Sequence, residues 1–129
     1  MSEQNADFTH EDEQGVRVVT FCNEELADLE QIIRIRKSLA NLIDSGVQRL
    51  ILDFQNVTYV SSQFMVVLIV LRKKLSAHKR FKQLSERNWE CVQISPDRQT
   101  AMAAIANVDS DPLILCAVGP ELRDFFRFC

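Results

Sequence analysis

The segment RLILDF, residues 49–54, constrains the fold more than any other stretch of this chain. It is almost continuously apolar over the length of one strand, which suits a central strand covered on both faces. Such a strand needs covering elements, and the flanking sequence supplies them. Upstream, Leu29, Ile32, Ile35 or Ile33, Leu39, Leu42 and Ile43 recur at intervals of three and four. That spacing predicts a helix over 25–45 with one buried face. Asn23 is its expected cap, Glu24, Glu25 and Asp28 favour its start through the helix dipole, and Gly46 fits a left-handed stop. Downstream, Phe64, Leu68, Leu71 and Leu75 form the core stripe of a second helix over 62–80, widened by Val67. The basic residues from Arg72 to Arg80 complement its C-terminal end.

The remaining segments complete an alternating pattern. VRVVTFC (16–22) is rich in β-branched residues and reads as a strand. A short strand starting at 8–10 and a turn over EDEQG make it one arm of an edge hairpin. WECVQI (89–94) and LILCAV (113–118) are further strands, with a helix opened by Pro96 and ending near Asn107 between them. PELRDFFRFC reads as a short terminal helix. Strands alternating with helices predict an α/β sandwich with a mixed sheet and about four helices, packed mainly on one face. At 129 residues the chain makes one domain, burying about 68% of its unfolded surface. Residues 1–7 are expected to fray, leaving 8–129 as the domain. Three glycines and three prolines leave little room for linkers.

Composition narrows the function classes. The formal charge of −3 argues against a general nucleic-acid binder, and the basic run RKKLSAHKRFK (72–82) reads as a solvated helix end. Cys22, Cys91, Cys116 and Cys129 form no CxxC pair, and His10 and His78 stand far apart, so no metal site is expected. Cys129 is either a reactive thiol or without a role. No charged n-region with an apolar core opens the chain, and the apolar run at 64–71 is far short of the ~20 residues that cross a bilayer. The expectation is a cytoplasmic protein without membrane insertion. GxSxG, P-loop and dinucleotide fingerprints are missing, so neither an enzyme nor a cofactor is expected. A phospho-aspartate receiver is unfavourable too: SEQNADFT is not an apolar first strand ending in acids, and LILCAVGPE offers Gly119 and Pro120 where a lysine is required.

The second helix holds the candidate site. Met65, Val66, Ile69 and Val70 lie largely off its core stripe, so either another element covers them or they form an apolar contact surface. Ser61 and Ser62 stand together at its start. They have two readings: a helix cap worth ~1 kcal/mol, or a modifiable hydroxyl shown to a partner.

RLILDFQNVTYVSSQFMVVL, preceded by the helix ending LIDSGV, resembles the STAS domain of anti-sigma factor antagonists. The family has an apolar strand ending in Asp, a short turn, and then Asp-Ser-Ser-Gly-Leu-Gly opening a helix. Asp53 matches the strand-end acid, Val57 and Tyr59 the turn, and Ser61 and Ser62 the serine pair. NEELADLEQ falls where the family has its strand-to-helix crossover, and CVQISPDRQTAMAAI resembles the later strand and its helix. The likeness extends over about residues 15–128. Here Val60 replaces the motif Asp, Gln63 the Gly, and Phe64-Met65 the Leu-Gly. The first change removes a carboxylate beside the acceptor; the second adds bulk where a partner's backbone approaches. The resemblance implies a non-enzymatic regulator that binds an anti-sigma factor acting as a serine kinase, with Ser61 as the matching phosphoacceptor and Ser62 beside it. It equally admits a structural subunit of a transport or stress assembly that lacks the phospho-switch. The expected partner surface is Tyr59, Ser61, Ser62, Gln63, Met65 and Val66, and Ser61→Glu is expected to weaken binding with little change in melting temperature. Homo-oligomerisation is left open.

Overall fold

The structure, a computed structural model, describes residues 7–76, 93–106, 113–119 and 122. Its elements are β1 (Phe8–Glu13), β2 (Val16–Phe21), β3 (Glu25–Leu26), α1 (Leu29–Asp44), β4 (Leu50–Asp53), β5 (Tyr59–Val60), α2 (Ser62–Ser76), β6 (Gln93–Ser95), α3 (Arg98–Ile105) and β7 (Leu113–Cys116). A five-stranded mixed sheet runs β1-β2-β4-β7-β6, with β1 and β2 antiparallel and the other neighbours parallel. A second, two-stranded sheet pairs β3 with β5.

β4 is the middle strand and all four of its residues are buried. Leu50 and Leu52 face one layer with α1 and α2; Ile51 faces the other, against Ala101 and Ile105 of α3. β2 divides in the same way, Val19 and Phe21 to one side and Val16 and Val18 to the other. Two of the three helices among the described residues therefore share a face. The continuous apolar run at 49–54 is explained by this double cover.

Several local expectations need correction. β1 runs through Glu13, so the turn is only Gln14-Gly15, with φ of 54° and 82°. Two consecutive left-handed residues make the tight hairpin whose twist matches its strands. Glu11 and Glu13 extend the antiparallel ladder opposite Val18 and Val16, and both side chains accept hydrogen bonds from Arg98 of α3, the latter at 2.7 Å. α1 begins at Leu29, not 25, because Glu25 and Leu26 are taken by β3. Its cap is Asp28, whose side chain accepts from the Gln31 N–H at 3.1 Å. Asn23 instead donates its side-chain amide to Asp7 at 3.5 Å. Asp7, expected to fray, is buried and accepts two 3.1 Å bonds from Arg34. That pair raises the Arg34 pKa, through hydrogen bonding first and charge second.

Pro96 precedes the α3 cap, Asp97, rather than opening the helix. The Thr100 N–H donates to Asp97 at 2.7 Å and lowers its pKa. β7 stops at Cys116 because Ala117 turns left-handed, φ 56°. Arg72, expected to be solvated, is buried. Residues 1–6, most of the strand expected at 89–94, the last turn of the second helix with His78, and the terminal helix apart from buried Leu122 lie outside the described residues.

Candidate functional site

The site is built where the chain leaves β2 and β4. These parallel neighbours deliver their following segments to one edge of the sheet, the edge where ligands and partners of open α/β sheets engage. At the end of β4, Asp53 is buried and its carboxylate accepts the Gln55 N–H at 2.9 Å, closing the turn. The strand-end acid is thus a turn residue. It faces the α3 side, where it and burial, burial first, push the Cys116 thiol up to about 12.

From this turn the chain runs into β5, parallel to β3. The Glu24 carbonyl accepts from Thr58 N–H (2.7 Å), Thr58 hydroxyl (3.2 Å) and Tyr59 N–H (3.2 Å). The Leu26 carbonyl accepts from the Ser61 N–H at 3.0 Å. Glu25 pairs with Tyr59 and Leu26 with Val60. This two-strand clamp holds the starts of α1 and α2 side by side. Beneath it, Phe64 packs edge-on against Phe21 and Phe54, ring centroids 5.8 and 6.1 Å away. Each such pair adds roughly 0.5–1.5 kcal/mol beyond its buried area, so the start of α2 is firmly seated.

The six residues singled out from sequence divide three ways. Tyr59, Ser62, Gln63 and Val66 are exposed, Val66 at 57%. Met65 is buried within the core cluster, which removes it from the contact surface. Ser61 is half-buried, and its hydroxyl oxygen is fully buried without a hydrogen-bond partner among the described residues. An unsatisfied buried hydroxyl costs about 1–3 kcal/mol. Ser61 occupies the residue before α2, and its carbonyl accepts the Phe64 N–H at 3.0 Å, yet its side chain makes no capping bond.

The surplus apolar residues of α2 are only partly covered: Met65 is buried, Ile69 half-buried, and Val66 and Val70 exposed, while Val67 is buried as part of the core stripe. Sequence reasoning missed the partner they face. Leu29 and Ile33 of α1 are also exposed, at 53% and 37%. Together Leu29, Ile32, Ile33, Arg36, Gln63, Val66 and Val67 line a groove of ≈ 310 Å³ between the two helices. The signal was present as the i, i+4 pair Leu29/Ile33, but periodicity assigned both residues to the buried face. At the far end, Lys74 pairs with Asp44 at 2.8 Å and ties the helices together. Among the described residues there is no group of three or more metal-ligating side chains, and no helix long and apolar enough to cross a membrane.

The family model described as STAS domain matches residues 10–110, which takes in the whole of this edge. The chain belongs to the STAS domain family. Solved structures share the fold. An anti-sigma factor antagonist from Mycobacterium paratuberculosis superposes with a TM-score of 0.60 at 18% identity, over 83% of this chain and 100% of that one. The anti-sigma factor antagonist SpoIIAA in its unphosphorylated form gives 0.51 at 17% identity, over 95% of this chain and 99% of that one. No curated protein matches the sequence. At these identities the likeness establishes the STAS architecture, and function rests on the site.

Proposed function

We infer that this STAS domain is a non-enzymatic regulatory module that binds a protein partner through β5 and the start of α2, as an anti-sigma factor antagonist does. The observation that carries this reading is the exposed face formed by Tyr59, Ser62, Gln63 and Val66, continuous with the Leu29–Ile33 groove. Exposed apolar side chains gathered beside a few polar ones mark an interaction surface. The partner is a cytoplasmic anti-sigma factor with serine kinase activity, and a serine hydroxyl at the start of α2 is the switch. A phosphoserine adds about −1.5 to −2 charge near pH 7 and opposes an apolar or acidic partner surface without unfolding the domain.

A structural subunit of a larger assembly is the second reading. It is favoured by Val60 and Gln63, which depart from the family's serine motif, and by the concealed Ser61 hydroxyl. Pull-down from native-host lysate with wild-type and Val66→Asp baits, read by mass spectrometry, separates the two. A kinase-like anti-sigma factor held by wild type and lost by Val66→Asp is the expected outcome. Recovery of one larger assembly by both baits overturns the partner-switch reading in favour of the subunit.

A further inference from the structure

We propose that the groove between α1 and α2 receives a second copy of this chain, with α1 lying antiparallel on α1, in a weak two-fold dimer that covers Val66. Four of the five exposed large apolar residues among the described residues sit together here: Leu29 and Ile33 of α1, Val66 and Val70 of α2. Scattered singly such side chains need no explanation, but gathered along one groove they mark a contact. Leu29 and Ile33 stand one turn apart as an apolar ridge along the groove they help to line. A ridge beside a groove suits an isologous contact, because a two-fold axis seats each copy's ridge in the other's groove. From Leu29 to Arg36 the groove is about 10 Å long, two helical turns. A patch of this size falls below the area that stable complexes bury, so the dimer is transient.

Charge selects a second copy as the occupant. Glu30 and Lys37 are exposed, and neither forms an ion pair among the described residues. Two turns apart, they lie on one flank of exposed Ile33, three residues before it and four after it. An antiparallel α1 centred on Ile33 sets each Glu30 against the second copy's Lys37, giving two opposite-charge pairs related by the axis. A parallel arrangement sets like charges together. Arg36, on the other flank, lays its stem over the second copy's Leu29 and keeps its guanidinium in water. Arg34 takes no part, since Asp7 holds it through two 3.1 Å bonds. Rim pairs of this kind fix orientation more than affinity. The dimer goes beyond the partner reading and bears on it: Val66 belongs to both surfaces, so a domain in the dimer is closed to the partner, and self-association sets the fraction available.

Sedimentation equilibrium of the full chain, from about 10 μM to about 1 mM, tests the dimer. Reducing buffer keeps exposed Cys22 from cross-linking copies. Wild type should show a monomer–dimer equilibrium that weakens as salt rises. Glu30→Lys and Lys37→Glu each make both rim pairs repulsive and should weaken dimerisation by about tenfold. Both positions are exposed, so an unchanged melting temperature verifies that each variant folds. Mixing the two variants in equal amounts should restore association, because the mixed dimer opposes unlike charges at both contacts. A monomer at every concentration overturns the dimer and leaves the groove to a different protein. A dimer indifferent to either variant, or one that the mixture fails to restore, overturns the antiparallel α1 contact. No partner enters the measurement, so the dimer stands or falls apart from the partner reading.

Discussion

α1 and α2 lie side by side on the same face of the sheet and are built differently. α1 starts on a satisfied cap, Asp28, and buries one stripe: Ile32, Ile35, Leu39 and Ile43. α2 starts on a serine whose hydroxyl makes no bond among the described residues, is pinned by an aromatic cluster instead, and leaves Val66 and Val70 in water. α3 resembles α1, with Asp97 bonded to the Thr100 N–H. Two helix ends are thus closed by side chains in the ordinary way. The third is held from beneath, so that its outer face is free for contact. The inner face of α2 is packed into the core, and the proposed contact lies on its outer face.

The largest effect expected follows from that division. Phe64→Ala removes the inner anchor of α2 and should cost ~3–5 kcal/mol, by loss of transfer free energy and creation of a cavity. Val66→Ala, two residues on but on the outer face, should change stability by less than ~0.5 kcal/mol. Urea denaturation with an unchanged m-value measures both. Comparable losses at the two positions would show that the two faces of α2 are not energetically distinct.

Next in size is Val66→Asp. It should weaken partner binding by at least about tenfold, roughly 1.4 kcal/mol, because a carboxylate in a closed apolar contact loses its hydration without a counter-charge. The unfolding midpoint should hardly move, since Val66 is exposed in the free domain. Titration against the partner recovered by pull-down checks the first statement. Retained affinity would place the contact away from the groove.

Charge in a buried setting gives a third test. The folded-state pKa of the Cys116 thiol, at about 12, lies above its ordinary value of 9.0. The unfolded chain therefore loses this proton first as pH rises. The stability linked to Cys116 is complete below pH 9 and is lost as pH climbs toward 12. Cys116→Ser should flatten that alkaline decline, as read from unfolding midpoints between pH 8 and 11. An unchanged slope would assign it to other groups.

What the sequence revealed follows the same division between long-range pattern and local contact. The strands around β4 and the stripes of α1 and α2 were legible, because burial on a sheet imposes a period over many residues. β3 and β5 were not: two residues carry no period, and Glu25-Leu26 looks like the first turn of a helix until Tyr59 and Val60 pair with it. The same contact moves the cap from Asn23 to Asp28, two residue types that cap equally well. The serine pair could be located but not resolved, since which hydroxyl faces inward depends on the clamp. Met65 and Val66 are both apolar and adjacent, and only the packing beneath α2 separates them.

The smallest effect expected is also the sharpest, because its sign decides. A capping serine replaced by alanine loses about 1 kcal/mol, and Asp28→Ala at the start of α1 should do so. Ser61→Ala at the start of α2 should go the other way. Its hydroxyl is buried and unbonded, so removing it deletes a desolvation cost while the backbone bonds to Leu26 and from Phe64 remain. A gain of up to ~1 kcal/mol is expected, measured by urea unfolding of the two variants side by side. A loss equal to that of Asp28→Ala would mean that Ser61 caps α2 in solution, and the contrast between the two helix starts would collapse. A gain would show that α2, unlike α1, begins without a capping side chain and is held by its backbone bonds and the aromatic cluster beneath it.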